Sequence, residues 1–207
     1  MMKKLLTHIR AFHDDEQGSM SIELLLVVPI LVWVFLSTFV YFDVFRVETN
    51  SVRATIAIAE MFSREDTVDQ EFLRNSRRVL RELTYEEANP DVRVTVYEYD
   101  PSRSNPERRF RRVWSEQWGM GSRLRNSDLR TLAAAGRLPV MEAVDHAIYI
   151  ETRTQYDAPF NIGLGPFTVT NLEDRVFVQD LVIRPRGGRL CWDPDTNVDD
   201  DEICSEP

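Results

Sequence analysis

The stretch EQGSMSIELLLVVPILVWVFLSTFVYF (Glu16–Phe42) decides how this chain is organised, because no charged residue occurs from Leu24 to Phe42. At 1.5 Å per residue, such a run makes a helix of about 28 Å, close to the ~30 Å hydrocarbon core of a bilayer. A cleaved secretory signal would have a shorter apolar core followed by a small-x-small site. The following sequence, YFDVFRVE, offers no such site. The sequence therefore predicts a retained transmembrane helix, which we place at residues 19–42.

Basic residues on the two sides of this segment predict its orientation. Lys3, Lys4 and Arg10 lie on the short N-terminal side, and Arg46 and Arg53 lie beyond the other end. Basic residues close to a span favour the cytoplasmic side. We therefore expect a single-pass protein with a cytoplasmic N-terminus, and residues 43–207 on the other side of the membrane.

The net charge of −9 is unevenly distributed along the 207 residues. The tail 193–207 contains seven acidic residues and no basic one, whereas residues 43–192 are close to neutral. A nucleic-acid-binding domain would need a net basic face, so this class of function is not favoured. The length suits one membrane segment and one domain of ordinary size.

A single carboxylate, Glu23, stands at the edge of the apolar run, five residues after Gly18. A charge in such a position is costly and usually functional. If the chain is cut between Gly18 and Ser19, the new α-amino group lies four residues before Glu23, so that both charges share one helix face. The carboxylate then neutralises this amine, or the amine of a neighbouring subunit, which would set the axial register between packed helices. The alternative is an uncleaved signal anchor in which Glu23 has no special role.

The segment FHDDEQGSMSIELLLVVPILVWVFLS (Phe12–Ser37) resembles the N-terminus of type IV prepilin-like proteins, and more narrowly the TadE/TadF pseudopilins of the tight-adherence (Tad) pilus. The matching features are Arg10, Phe12, the acidic residues 14–16, Gly18, Glu23 and Pro29. Farther along, LVIRPRG (Leu181–Gly187) also resembles the closing strand of this family.

This resemblance implies a function for the N-terminal segment. Residues 1–18 would be a cytoplasmic leader removed by a prepilin peptidase, Ser19 would become the mature N-terminus, and Glu23 would be the glutamate that sets the register. The protein would be a non-catalytic component of pilus assembly, held in the inner (cytoplasmic) membrane with its C-terminal domain in the periplasm. Its partners would be the prepilin peptidase, the major pilin and the inner-membrane assembly platform. Two other classes stay open, namely an uncleaved, signal-anchored binding or sensory domain and an anchored enzyme.

Residues 43–190 are expected to form an α+β domain that begins as a continuation of the membrane helix. An apolar stripe of helical period predicts its buried face: Phe45, Val52, Ile56, Ala59 and Phe62. The capping-box sequence Thr67–Gln70 predicts the start of a second helix, which Asn89-Pro90 would end.

Four strands are predicted after the second helix. Alternation at Val92, Val94 and Val96 indicates a half-buried strand. The other predicted elements are a loop over Asp100–Glu107, a strand through Phe110 and Trp114, a short helix over Asp128–Ala135, and strands at His146–Ile150 and Val176–Val178. The predicted strands are separated by loops without helix-length crossovers, which favours an antiparallel sheet.

The C-terminal segment 191–207 is predicted to be an acidic tail closed by a disulfide. Cys191 and Cys204 are the only cysteines, and an exported domain favours their pairing over two free thiols. Oxygen-bearing side chains alternate between them like the first half of a calcium loop: Asp193, Asp195, Asn197 and Asp199. Val198 and Cys204 stand where an EF-hand needs glycine and glutamate, so a solvated acidic loop is the alternative.

Two further features were weighed for function. The basic cluster RRFRR (Arg108–Arg112) is either a docking patch for an acidic partner or a solvated edge strand guarded by charge. His146 has no serine, cysteine or carboxylate partner at a motif spacing and is expected to be a packed strand residue. No phosphate-binding loop or nucleophile motif occurs, so neither catalysis nor a cofactor is predicted.

Overall fold

The computed structural model describes residues 16–84, 89–141, 145–158, 174–194 and 204. The chain is α+β, with a long apolar N-terminal helix and a four-stranded antiparallel sheet. It divides into two units, residues 1–43 with 158–173, and residues 44–157 with 174–207.

In the first unit the described structure is the N-terminal half of helix α1, which runs from Glu16 to Arg64. The helix continues through Pro29, which can accept but not donate a backbone hydrogen bond. From Ile22 to Phe42 nearly every large apolar side chain is exposed, including Phe35 at 72%. The boundary between the units falls between Asp43 and Val44, inside this helix.

In the second unit α1 continues as the first element of the domain, as predicted, but the predicted buried face is partly wrong. Ala59 and Phe62 are buried, whereas Phe45, Val52 and Ile56 point outward, with Phe45 at 52% exposed. The buried face instead runs through a second set of residues: Val47, Ser51, Ala54, Thr55, Ile58 and Phe62.

Two hydroxyl residues explain why periodicity selected the wrong face. Ser51 donates a hydrogen bond to the Val47 carbonyl at 2.9 Å, and Thr55 donates to the Ser51 carbonyl at 2.8 Å. Their side chains are satisfied by the helix itself, so they can be buried at little cost. Thr55 Oγ1 also forms a hydrogen bond with Thr152 Oγ1 of the sheet, at 2.7 Å.

The second helix begins later than predicted. Thr67–Asp69 is not its N-terminus but a short strand, β1, and helix α2 spans Gln70–Thr84. Asp69 caps the helix, because its Oδ1 accepts the Phe72 N–H at 2.6 Å. The predicted stop at Asn89-Pro90 lies five residues beyond Thr84, and residues 85–88 between them are outside the described part of the chain.

The predicted antiparallel sheet is confirmed. Its order is β3-β2-β4-β5, formed by β2 (Asp91–Tyr99), β3 (Phe110–Trp118), β4 (Asp145–Asp157) and β5 (Asp174–Ile183). A 3-10 turn over Pro106–Arg109 leads into β3, and helix α3 spans Asn126–Ala134. Gly136, with φ of 70°, follows α3, as a glycine C-terminal to a helix is expected to do.

The sheet is covered on both faces. Val92, Val94 and Val96 join α1 and α2 in one core, and Tyr97 and Tyr149 join Leu129 of α3 in a second. Strand β2 is therefore more deeply buried than the half-buried strand predicted from its valines.

Strand β5 has its predicted location, but the residues that point inward are not the valines that the sequence pattern suggests. Val176 and Val178 are 58% and 45% exposed, whereas Phe177 between them is buried. The larger aromatic side chain takes the inward position, packing beside Tyr156 at a ring-centroid distance of 6.4 Å.

The C-terminal segment returns to the end of α1. Strand β6 (Cys191–Asp193) pairs in parallel with β1, and the Cys191 N–H donates to the Asp66 carbonyl at 2.8 Å. The Trp114 indole donates to the Leu190 carbonyl at 2.8 Å. The stretch Leu181–Gly187 ends β5 and then contacts α1, where the Arg186 N–H donates to the Ser63 carbonyl.

Candidate functional site

Helix α1 is long and apolar enough to cross a membrane. Its most apolar window has a mean hydropathy of 2.5, and it is the one such helix within the described residues. Its position near the N-terminus is consistent with a single-pass membrane protein.

The candidate processing site lies at the start of this helix. Gly18 and Ser19 fall within the first turn of α1, and Glu23 follows Ser19 by four residues, a rise of about 6 Å. The Glu23 side chain is exposed. An α-amino group on Ser19 and the Glu23 carboxylate would thus lie on the same side of the helix, one turn apart. The side chains of residues 16–21 are outside the described part of the chain.

Within the second unit, α1 also has exposed apolar side chains. Phe45, Val52 and Ile56 lie at i, i+7 and i+11, and each is at least 39% exposed. A helix that only linked a membrane span to a soluble domain would have polar residues at such positions. This outward stripe is suited to packing against another apolar helix.

An arginine-lined cleft, which we call the arginine face, was missed in reading the sequence. Arg74, Arg77, Arg78 and Arg81 of α2 line a cavity of about 270 Å³ together with Pro90 and Trp118. Their spacing of i, i+3, i+4 and i+7 places them on one side of a helix. This spacing is visible in the sequence and was the signal that could have predicted the face.

A second, more apolar cleft of about 360 Å³ lies between β3 and the residues after α3. Tyr99, Phe110, Leu138 and Val140 contribute to its lining. Among the side chains that the structure describes, Arg109 is the one charged group in its lining.

The RRFRR cluster lies at the start of β3, an edge strand of the sheet, and most of its arginines bind the chain's own groups. Arg109 Nε donates to the Arg103 carbonyl at 2.9 Å, and Arg111 pairs with Glu98. The Arg112 N–H donates to Asn126 Oδ1 at 2.8 Å, and its guanidinium donates to the Leu124 carbonyl. These contacts favour the charged edge strand over a docking patch.

The predicted disulfide between Cys191 and Cys204 is present in the structure. Of the calcium candidates, Asp193 ends β6, whereas Asp195, Asn197 and Asp199 lie outside the described residues. Among the side chains that the structure does describe, no group of three or more is arranged to hold a metal ion.

Burial is the main cause of the pKa shifts of several ionisable side chains in the domain. Desolvation lowers the pKa of His146, which lies opposite Glu98 in the β2–β4 ladder, so burial favours the neutral imidazole. His146 is half-buried on β4, and its Nε2 has no hydrogen-bond partner among the residues that the structure describes. Desolvation also raises the pKa of the Glu116 carboxyl, against the opposing effect of Arg123, and raises the pKa of Tyr149 to about 12.

Two glutamates of the sheet, Glu151 and Glu116, form ion pairs with arginines. Arg93 of β2 pairs with Glu151 of β4, and both side chains are nearly buried. Arg123 pairs with Glu116 at 2.9 Å. The Arg93–Glu151 pair compensates the cost of burying both of its charges, whereas the exposed Arg123 compensates the burial of Glu116 alone, and both pairs have a structural role.

Comparison of the chain with protein-family models, with curated proteins and with solved structures finds no match.

Proposed function

We propose that this protein is a pilin-like, non-catalytic component of a Tad-type pilus assembly system, processed between Gly18 and Ser19 and held in the inner membrane by α1. One observation carries the proposal: a single helix, Glu16–Arg64, exposes an apolar N-terminal half and packs its C-terminal half into an α+β domain. Glu23 is the one charged residue between Ser19 and Phe42, and it precedes the uncharged run directly.

Glu23 acts by electrostatics in this proposal. Cleavage creates an ammonium group at Ser19, one helical turn from the carboxylate. An isolated charge at the edge of the hydrocarbon is heavily penalised, whereas a neutralised pair is tolerated. When the amine belongs to a neighbouring subunit, the pair fixes how far one helix is displaced along the other.

Packing between helices then depends on the apolar side chains that α1 leaves exposed. Those of Leu25 and Phe35 lie in the membrane-length segment, and those of Phe45, Val52 and Ile56 extend the surface beyond it. The major pilin and the inner-membrane assembly platform are the partners to which this surface would bind, and a prepilin peptidase would act on the leader. The orientation is N-terminus cytoplasmic and C-terminal domain periplasmic.

The second candidate is an uncleaved, signal-anchored binding domain. The arginine face favours it, because a charged cleft on the exported domain is a feature of a binding protein and is not needed for helix packing. In this case Glu23 would have no partner amine.

Substitution of Glu23 by glutamine tests the proposal. The change keeps the size of the side chain and removes its charge, so we expect surface filaments to be reduced to a small fraction of the wild-type number, with the protein still inserted in the membrane. Filaments are counted by electron microscopy in the cells that make this protein. Glu48→Gln is the matched control, since it removes an exposed carboxylate from the same helix outside the apolar run. Normal filament numbers with Glu23→Gln would contradict the proposal.

A further inference from the structure

We propose that the arginine face of α2 binds an acidic peptide segment of a partner protein, presented as an extended strand. This is a function of the exported domain, and it holds whether or not the leader is cleaved.

The spacing of the arginines fits several carboxylates on one extended strand. Arg74 and Arg81 are seven residues apart, so their helical positions are separated by about 10 Å. An extended chain advances about 3.3 Å per residue and its side chains alternate between two faces, so an acidic segment of four or five residues covers the same length and turns two or three carboxylates toward the arginines. One phosphate group would reach only one or two of the four guanidinium groups. Several carboxylates on a strand are therefore the best match to the whole face.

The centre of the face is held in place by the chain's own groups. Arg77 Nε donates to the Pro90 carbonyl at 2.7 Å, and its guanidinium also donates to Asn89 Oδ1. The guanidinium carbon of Arg77 lies 6.0 Å from the centre of the Trp118 ring, within the range of a cation–π contact. A side chain fixed before binding loses less conformational entropy when the ligand arrives.

The flanking arginines remain available to a ligand. Arg74 is 3.4 Å from Glu71 and Arg81 is 3.3 Å from Glu82, and all four side chains are largely exposed. Exposed pairs of this kind are worth little, so a ligand carboxylate can compete with them. Arg78 makes no ion pair among the residues that the structure describes. Helix α2 has four arginines and two glutamates, a local excess of two positive charges.

The charge of the whole chain restricts the length of the ligand. At a net charge of −9 the protein repels a long polyanion such as nucleic acid at a distance, whereas a short acidic segment interacts mainly with the local cluster. A cleft of about 270 Å³ also has room for no more than a short part of one peptide strand. A planar lipid surface would contact only its rim.

Binding of a fluorescent octa-glutamate peptide to the full chain in nonionic detergent tests the proposal. We expect the double substitution Arg74→Gln/Arg78→Gln to weaken binding about tenfold, since each arginine loses a charge-assisted contact. It spares Arg77 and its contacts with Asn89 and Pro90, so the fold should be preserved. Arg108→Gln/Arg130→Gln is the matched control with the same loss of net charge, and its affinity should stay within about twofold of wild type.

Three results would overturn the proposal. The first is an equal loss of affinity in both double variants, which would show non-specific attraction. The second is arginine-dependent binding of anionic lipid vesicles with no binding of the peptide. The third is peptide binding that appears only after Asp199–Glu202 are neutralised, because the face would then serve the chain's own acidic tail. None of these binding measurements depends on leader cleavage. A negative result for the arginine face can therefore be distinguished from a negative result for the pilin-like function.

Discussion

Substituting Ile58 by alanine should lower the free energy of unfolding of the domain by about 2–5 kcal/mol. Ile58 is fully buried on α1 and belongs to the core formed with the valines of β2. Truncation removes apolar contacts and leaves a cavity that the helix and sheet can only partly close. The measurement is chemical unfolding of the full chain in detergent, followed by tryptophan fluorescence. Trp114 and Trp192 report on this core, with ring centroids 5.5 Å apart.

Ile56→Ala is the control, since it makes the same chemical change two residues away on the same helix. Ile56 is 49% exposed, so its substitution should change the free energy of unfolding by about 0.5 kcal/mol or less. Equal losses at the two positions would contradict the orientation of α1. If the outward stripe packs against neighbouring subunits, Ile56→Asp should instead reduce filament number while leaving the domain folded.

Opening the disulfide should lower the free energy of unfolding by about 3 kcal/mol, from the entropy of closing a loop of this length. Cys191 and Cys204 are 13 positions apart, and Cys191 is buried on β6 beside β1. Cys204→Ser removes the crosslink and leaves the Cys191 side chain in the core. The same fluorescence-monitored unfolding gives the result.

Reduced wild-type protein serves as the control for the cysteine substitution. Wild type treated with a thiol reductant should match Cys204→Ser, and the reductant should have no effect on the variant. Equal stability of the variant and of oxidised wild type would contradict a stabilising role for the loop.

The elements that the sequence predicted are those defined by local pattern. The apolar run from Leu24 to Phe42 predicted the helix of membrane length, and alternation at Val92, Val94 and Val96 predicted β2. Gly136 marked the end of α3 because a left-handed residue terminates a helix readily only as glycine. The loops between the predicted strands contain no helix-length crossover, and this feature correctly predicted an antiparallel sheet.

The errors arose where distant parts of the chain meet. Thr67–Asp69 has the sequence of a helix cap, but pairing with Cys191–Asp193 makes it a strand. The predicted apolar stripe of α1 did not include Ser51 and Thr55, although their hydroxyls bind helix carbonyls and can be buried. Val176 and Val178 are exposed because Phe177 occupies the inward position.

The two candidate sites also differ in whether their residues are close together in the sequence. Gly18, Ser19 and Glu23 lie within a few residues of one another, so sequence spacing was enough to single them out. The arginine face requires Pro90 and Trp118 from outside α2, and their proximity follows only from how the sheet packs against that helix.

The N-terminus of the mature protein tests the central claim, that cleavage after Gly18 provides a cation for Glu23. The protein is isolated from the membranes of the cells that make it, and its intact mass and terminal sequence are determined. We predict a chain that begins at Ser19, and a Gly18→Trp variant that keeps the leader because its bulky side chain prevents close approach of the peptidase. A wild-type chain that retains residues 1–18 would contradict the claim.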